Sequence, residues 1–202
     1  MKTTLGIAQL VKRRVRESIA VKEAILENES LLDLVQEVAG VCVRSLKQGG
    51  KLLFFGNGGS AADAEHLAAE LVGRYSRERR ALPAVSLTAN SSCLTAIGND
   101  YSYELVFSRQ IEAFGNKGDI AIGISTSGNS PNVVRALRVA KGKGMITAAM
   151  TGKTGGTLKA LVDYCLRIPS TQTARIQEGH ILVGHVLCEI IEESLANEGR
   201  IP

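Results

Sequence analysis

KLLFFGNGGSAADAEHLAAEL, residues 51–71, runs from a short apolar stretch through a glycine-rich turn into a helical segment. KLLFF (51–55) is apolar through most of its length and too short for a helix, as a strand buried on both faces would be. The same texture recurs in PAVSL (83–87), DIAIGIS (119–125), MITAAMT (145–151) and YCLRIP (164–169). Helical patterns separate these runs at 60–73, at 91–114 with an interruption near Gly98, at 131–143, and in a short turn at 156–161. A last long helix is expected over 173–197. Two further helices precede the first strand, at 6–27 (Ile7, Leu10, Val11, Val15) and 31–48 (Leu31, Leu34, Val35, Val38, Cys42). Alternating strands and helices of this kind predict an α/β fold with a doubly wound parallel sheet. Ligands of such sheets bind beyond the carboxyl ends of the strands, so the loops that matter are GNGGS, TANSS, STSGNS and TGKTGG.

Composition narrows the function classes. The 202 residues suit one domain able to bury its own core, without linker, repeat or low-complexity tract. A net charge of +4, from 24 Lys and Arg against 20 Asp and Glu, is too mild and dispersed for a nucleic-acid face. KRRVR (12–16) fits a solvated helix face, and RYSRERR (74–80) is likewise interrupted. Cys42, Cys93, Cys165 and Cys188 lie far apart with no CxxC pair, which fits reduced thiols in the cytoplasm. The N-terminal segment lacks an apolar signal-peptide core, and no run approaches the ~18–20 apolar residues of a membrane span.

The loops carry the chemistry. GNGGSA meets the loose dinucleotide pattern with Gly56, Gly58 and Ala61. Such sites also need an acid about 20 residues on, at the end of the next strand, to hold the ribose. That strand ends in Leu87-Thr88, so a nicotinamide cofactor is excluded and a plain glycine turn stays open as an alternative. TGKTGG lacks the earlier glycine of a phosphate-binding NTPase loop, Thr147 standing in its place. ISTSGNSPN (124–132) is more informative: Ser125, Thr126 and Ser127 crowd beside a glycine, Ser130 sits at an N-cap position, and Pro131 follows at the first helical position. Capping requires Ser130 alone. The surplus hydroxyls and the free N–H groups of a helix start suit a phosphate monoester.

Only three histidines occur, His66, His180 and His185. Asp63, His66 and Glu70 fall on one helical stripe, with His66 and Glu70 one turn apart. On the last helix Gln177 and His185 are about 80° apart around the axis. Two helices thus each offer an imidazole and an oxygen ligand. Taken singly, each is as readily a surface polar group.

Four motifs in order, GNGGSAADAEHLAAELVGRY, TAIGND (95–100), GISTSGNSPNV and RIQEGHILVGH, resemble the phosphoheptose isomerases of the sugar isomerase (SIS) domain family over residues 30–195. The resemblance implies one SIS domain over 1–202, with N-terminal helices at about 6–48 and an α/β core at about 49–197. It implies a five-stranded parallel sheet between helices, a homotetramer, and interconversion of D-sedoheptulose 7-phosphate with D-glycero-D-manno-heptose 7-phosphate. That reaction opens the synthesis of nucleotide-activated heptoses for lipopolysaccharide cores. By position, Asn57, Gly58, Gly59 and Ser60 match the substrate loop, Asn99 and Asp100 a pair on the sugar hydroxyls, and Ser125, Thr126, Ser127 and Ser130 the phosphate cradle. Glu70 matches the catalytic base and a substrate contact, His185 its proton-moving partner, and Gln177 a further substrate contact. His66, Glu70, Gln177 and His185 match the ligands of one zinc per subunit. Arg74 is a charge neighbour of that site. Ala174 departs from the family, some members of which carry aspartate before the arginine of RIQE. Other SIS domains are sugar-phosphate sensors or replication-initiation assembly factors, in which the cradle outlasts the catalytic pair. Both members of the pair are present here.

Overall fold

The structure, a computed structural model, describes residues 2–196, with side chains from residue 6 onward. Two long helices, α1 (Lys2–Leu26) and α2 (Glu29–Lys47), precede the first strand. The side chain of Asn28 caps α2 by accepting from the Leu31 N–H at 3.2 Å. The apolar stripe of α2, including Leu31, Val35, Val38, Cys42 and Leu46, is buried, whereas the stripe of α1 is not: Ile7, Leu10, Val11, Val15 and Ile19 remain exposed. Lys12 to Arg16 are exposed as well, with Arg14 paired to Glu17 at 2.8 Å, as a solvated face should be.

The core then alternates: β1 (Leu52–Gly56), α3 (Gly59–Val72), β2 (Ala84–Ser86), α4 (Ser91–Asp100), α5 (Ser108–Phe114), β3 (Ile120–Ser125), α6 (Pro131–Gly142), β4 (Ile146–Thr151), α7 (Leu158–Leu161), β5 (Tyr164–Arg167) and α8 (Thr173–Leu195). All five strands pair in parallel in the order β2-β1-β3-β4-β5. Parallel neighbours need helical crossovers, and these cover both faces. Successive strand residues therefore feed opposite cores. Leu52, Phe54, Ile120, Ile122 and Ile124 pack with α2, α3 and α8, while Leu53, Phe55 and Ala121 pack with α5 and α6. Fully buried side chains such as Leu52, Leu53 and Phe55 each contribute about 1.5–3 kcal/mol. The strand order reverses between β1 and β3, which places the ligand crevice beside the loops that follow them.

One boundary differs from expectation. The helix beginning at Ser91 continues through Gly98 to Asp100 and breaks at Tyr101 (φ −127°, ψ −87°), before a 3-10 turn at Tyr103–Leu105. A single glycine costs a helix only about 1 kcal/mol. The break is fixed from outside, where the turn packs on α6 and the Tyr103 hydroxyl donates to Asn57 Oδ1 at 3.0 Å. The last helix is described to Leu195, and its expected end at 197 lies outside the described residues.

On α8, His180 is fully buried with neither ring nitrogen in a well-formed hydrogen bond. Burial pushes its pKa down to about 4, against an opposing pull from the Thr151 backbone. Its folded pKa lies below the unfolded value of about 6.5, so its neutral form is favoured by folding. Stability is thus undiminished above pH ~6.5 and is lost as pH falls from there to ~4. The loss is on the order of 3 kcal/mol. Urea titrations at stepped pH should show that His180→Leu has a flatter stability profile across this window than the parent. Parallel profiles would contradict the buried neutral imidazole.

Candidate active site and metal centre

The loops after β1 and β3 meet at the switch point through a paired amide. Asn57 Nδ2 donates to Asn132 Oδ1, and Asn132 Nδ2 donates to Asn57 Oδ1, each at 2.9 Å. The Val133 N–H donates to Asn132 Oδ1 at 2.9 Å, which fixes the amide orientation of both residues. Gly58 makes the turn at φ 57°, ψ −121°, a conformation side chains resist. In the second loop Ser130 occupies the N-cap position but its side chain does not cap; its hydroxyl lies 2.9 Å from Ser125 Oγ, with Ser127 Oγ 3.4 Å from Ser125. The hydroxyls of Ser125, Ser127 and Ser130 therefore converge at the start of a twelve-residue helix, where N–H groups and the helix dipole favour an anion. TGKTGG buttresses this cradle: the Gly152 N–H donates to Thr126 O at 3.0 Å, and a Cβ on Gly128 would lie 2.1 Å from Gly155 O.

The second half of the site lies between α3 and α8, which run side by side in the same direction. A Cβ on Gly184 would meet Leu67 at 2.7 Å, and Cys188 Sγ reaches Leu67 O at 3.9 Å. Close packing here brings His66 Nε2 to 3.0 Å from Glu70 Oε1 and 3.1 Å from His185 Nε2. The Tyr75 ring lies 5.8 Å from that of His185. His66 Nε2 carries either one N–H, which can serve only one of its two neighbours, or a lone pair, which then faces the Glu70 carboxylate. A single cation satisfies all three atoms, which lie within 4.8 Å of one another. Two imidazole nitrogens and a carboxylate oxygen are a donor set suited to zinc, with a fourth position left for water or substrate. Gln177 is placed elsewhere: its amide lies against Gly59, where a Cβ would come within 2.2 Å of Nε2. Eight residues separate it from His185, about 12 Å along the helix. Asp63, beside His66 on the stripe, has a buried Oδ2 without a hydrogen bond, and burial raises its pKa to about 6 despite the pull of His66.

A sugar isomerase (SIS) domain model matches residues 15–152. The phosphoheptose isomerase of Sulfurimonas denitrificans is 50% identical over 189 residues, 94% of this chain and 97% of that protein. That of Aquifex aeolicus is 54% identical, covering 91% and 95%. The structure of phosphoheptose isomerase from Neisseria gonorrhoeae superposes with a TM-score of 0.87 at 42% identity, covering 93% of this chain and 99% of that one. The chain belongs to the phosphoheptose isomerase family of SIS-domain proteins. The five-stranded parallel sheet expected from the sequence is the fold observed.

Within this SIS domain several residues have protein partners that their spacing in the sequence does not reveal. Asn99 Nδ2 donates to Asp100 Oδ1 at 2.8 Å, so the pair is ordered by itself at the end of α4. Arg74 lies beyond the end of α3 at Val72 and pairs with Glu78 at 3.5 Å. Ser60 is buried, and its N–H donates to Asn57 O at 3.0 Å. Asn132 and Tyr103 escaped the sequence reading, since nothing in spacing alone links them to Asn57. Asn132→Ala should strand the Asn57 amide and the Val133 N–H, costing about 1–3 kcal/mol in urea unfolding. It should also raise KM for the phosphosugar, because the loop loses its tie to the cradle. Unaltered KM would show that Asn57 holds its position without its partner.

Proposed function

We propose that this phosphoheptose isomerase family member interconverts D-sedoheptulose 7-phosphate and D-glycero-D-manno-heptose 7-phosphate through a cis-enediolate, the opening step towards nucleotide-activated heptoses of lipopolysaccharide cores. The observation that carries the reading is the convergence of Glu70 and His185 from two helices, in a domain that also carries a hydroxyl cradle at the sheet's switch point. Ser125, Thr126, Ser127 and Ser130 hold the phosphate and so orient the distal end of the sugar, a positional contribution rather than a chemical one. Asn57, Gly58, Gly59, Ser60, Gln177, Asn99 and Asp100 line the path of the chain hydroxyls.

Glu70 removes the proton from C1 of the ketose and returns it to C2. His185 moves the O1 hydroxyl proton to O2, so the C2 carbonyl becomes a hydroxyl as C1 becomes the aldehyde. No atom is gained or lost. His66, Glu70 and His185 would hold zinc, one per subunit. When bound, the ion supplies Lewis-acid polarisation of a carbonyl oxygen.

The chain works as one SIS domain, since β5 and α8 beyond the matched segment complete its sheet and core. A homotetramer is supported by the apolar stripe of α1, whose exposed residues 7, 11, 15 and 19 repeat at helical spacing. It is supported too by a reaction centre half-open on one protomer, the His66 side chain being 48% exposed. A neighbouring copy would cover both. Four free cysteines, with burial pushing Cys42 and Cys188 up to about 12, fit a cytoplasmic enzyme, and no described helix is long and apolar enough to cross a membrane.

Steady-state assays on purified protein, of tetramer mass by light scattering, test this reading. Glu70→Gln and His185→Gln should each lower kcat by about 10²–10⁴-fold while inorganic phosphate still competes for the cradle. Wild-type protein that turns over no heptose phosphate, with or without added zinc, would sink the isomerase reading and favour a sensor.

A further inference from the structure

RYSRERR (74–80) reads as an interrupted basic run, yet one of its arginines is among the most buried charges described. Arg79 and Glu192 are both 1% exposed, with Arg79 Nε 3.1 Å from Glu192 Oε1. Glu192 also gathers the segment that leaves α3. Its Oε1 accepts from the Tyr75 N–H at 2.9 Å, and its Oε2 accepts from the N–H groups of Ser76 and Arg77 at 2.7 and 2.8 Å and from Ser76 Oγ at 3.1 Å. Arg79 in turn grips the end of α3. Its Nη2 donates to the carbonyl of Glu70 itself at 2.9 Å, and its Nη1 to the carbonyls of Gly73 and Arg80 at 3.0 Å. The Glu70 carbonyl is among those a helix leaves unpaired at its C-terminal turn. Glu192 lies seven residues after His185, on nearly the same face of α8. Hydrogen bonds from Arg79 to the backbone of Glu70, and the ion pair from Arg79 to Glu192, thus link α3 to the helix that bears His185.

We infer that Arg79 and Glu192 are positioning residues for the reaction centre, holding Glu70 and His66 on α3 in register with His185 on α8. Packing of Leu67 on Gly184 keeps the helices close but is apolar and tolerates sliding. The ion pair and its bonds to α3 fix the helices along their axes. Catalytic geometry is sensitive to shifts of this size, since about 1 Å of misplacement can cost 10²-fold. Metal sites behave alike, with loss of a supporting group typically costing about 10–100-fold in affinity. The inference rests on His66, Glu70 and His185 being the reaction centre.

The chain contains its own control. Lys51 and Asp119 form a second largely buried pair, with Lys51 Nζ 2.6 Å from Asp119 Oδ2, and Asp119 also accepts from the Lys51 and Asn116 N–H groups at 3.0 and 2.8 Å. That pair ties the starts of β1 and β3 together and touches neither α3 nor α8 in any of these bonds. Glu192→Gln and Asp119→Asn should both lower the thermal midpoint, as loss of a buried partner does. Only Glu192→Gln should also lower kcat and zinc affinity, each by about tenfold or more, with zinc measured by competition against a fluorescent chelator. Inorganic phosphate should bind both variants as it binds the wild type. Arg79→Lys, which keeps the charge but not the fork, should follow Glu192→Gln. Should Glu192→Gln not fold, Ser76→Ala, which deletes one bond to the same carboxylate, should show a smaller loss of the same two quantities. Wild-type kcat and zinc affinity in the folded Glu192 or Ser76 variant would overturn the inference, as would equal losses in Asp119→Asn. Wild-type protein that binds zinc but isomerises nothing would remove the catalytic reading while leaving zinc affinity to judge the positioning role.

Discussion

The packing of Leu67 against Gly184 is the contact on which the reaction centre depends. Without a side chain at 184, α3 and α8 approach closely enough for His66, Glu70 and His185 to share one point in space. A methyl group there would meet Leu67 at 2.7 Å and push the helices apart. Both helices lie on one face of the sheet because the crossover after β1 and the final segment after β5 pack on the same side, over Leu52, Phe54 and Ile122. The opposite face carries α5 and α6 and has no part in the acid–base pair.

Two chemistries are thereby separated along one crevice. The cradle after β3 offers neutral hydroxyls and a helix start, which suit a phosphate without placing a cationic side chain beside it. The acid–base groups sit farther along α3, beyond the turn that Gly58 permits and that Asn57 and Asn132 tie to the cradle. Chain length between the two regions is the variable that a phosphosugar isomerase must match.

Much of this was legible in the sequence because its signals are local. KLLFF, DIAIGIS and MITAAMT declare buried strands by composition, and Ser130-Pro131 declares a helix start. The spacing of His66 and Glu70 is likewise a property of one helix. What remained hidden is long-range. Arg79 and Glu192 are 113 positions apart, and nothing in RYSRERR distinguishes the buried arginine from Arg74 and Arg77, which pair at the surface with Glu78 and Glu193. Tyr103 displaced the expected helix break from Gly98 for the same reason, its hydroxyl answering to Asn57 in another element. Gln177 shows the converse limit. The family resemblance implies a ligand shared with His185, while the rise of the helix sets the Gln177 amide beside Gly59.

The central claim is that Glu70 carries a proton between C1 and C2 of a phosphorylated ketose. Incubation of the wild-type protein with sedoheptulose 7-phosphate in D₂O, followed by NMR, examines that transfer directly. A carboxylate that exchanges with solvent predicts heptose 7-phosphate bearing deuterium at C2. Product formed with protium retained at C2 throughout would point to direct hydride transfer and contradict the enediolate.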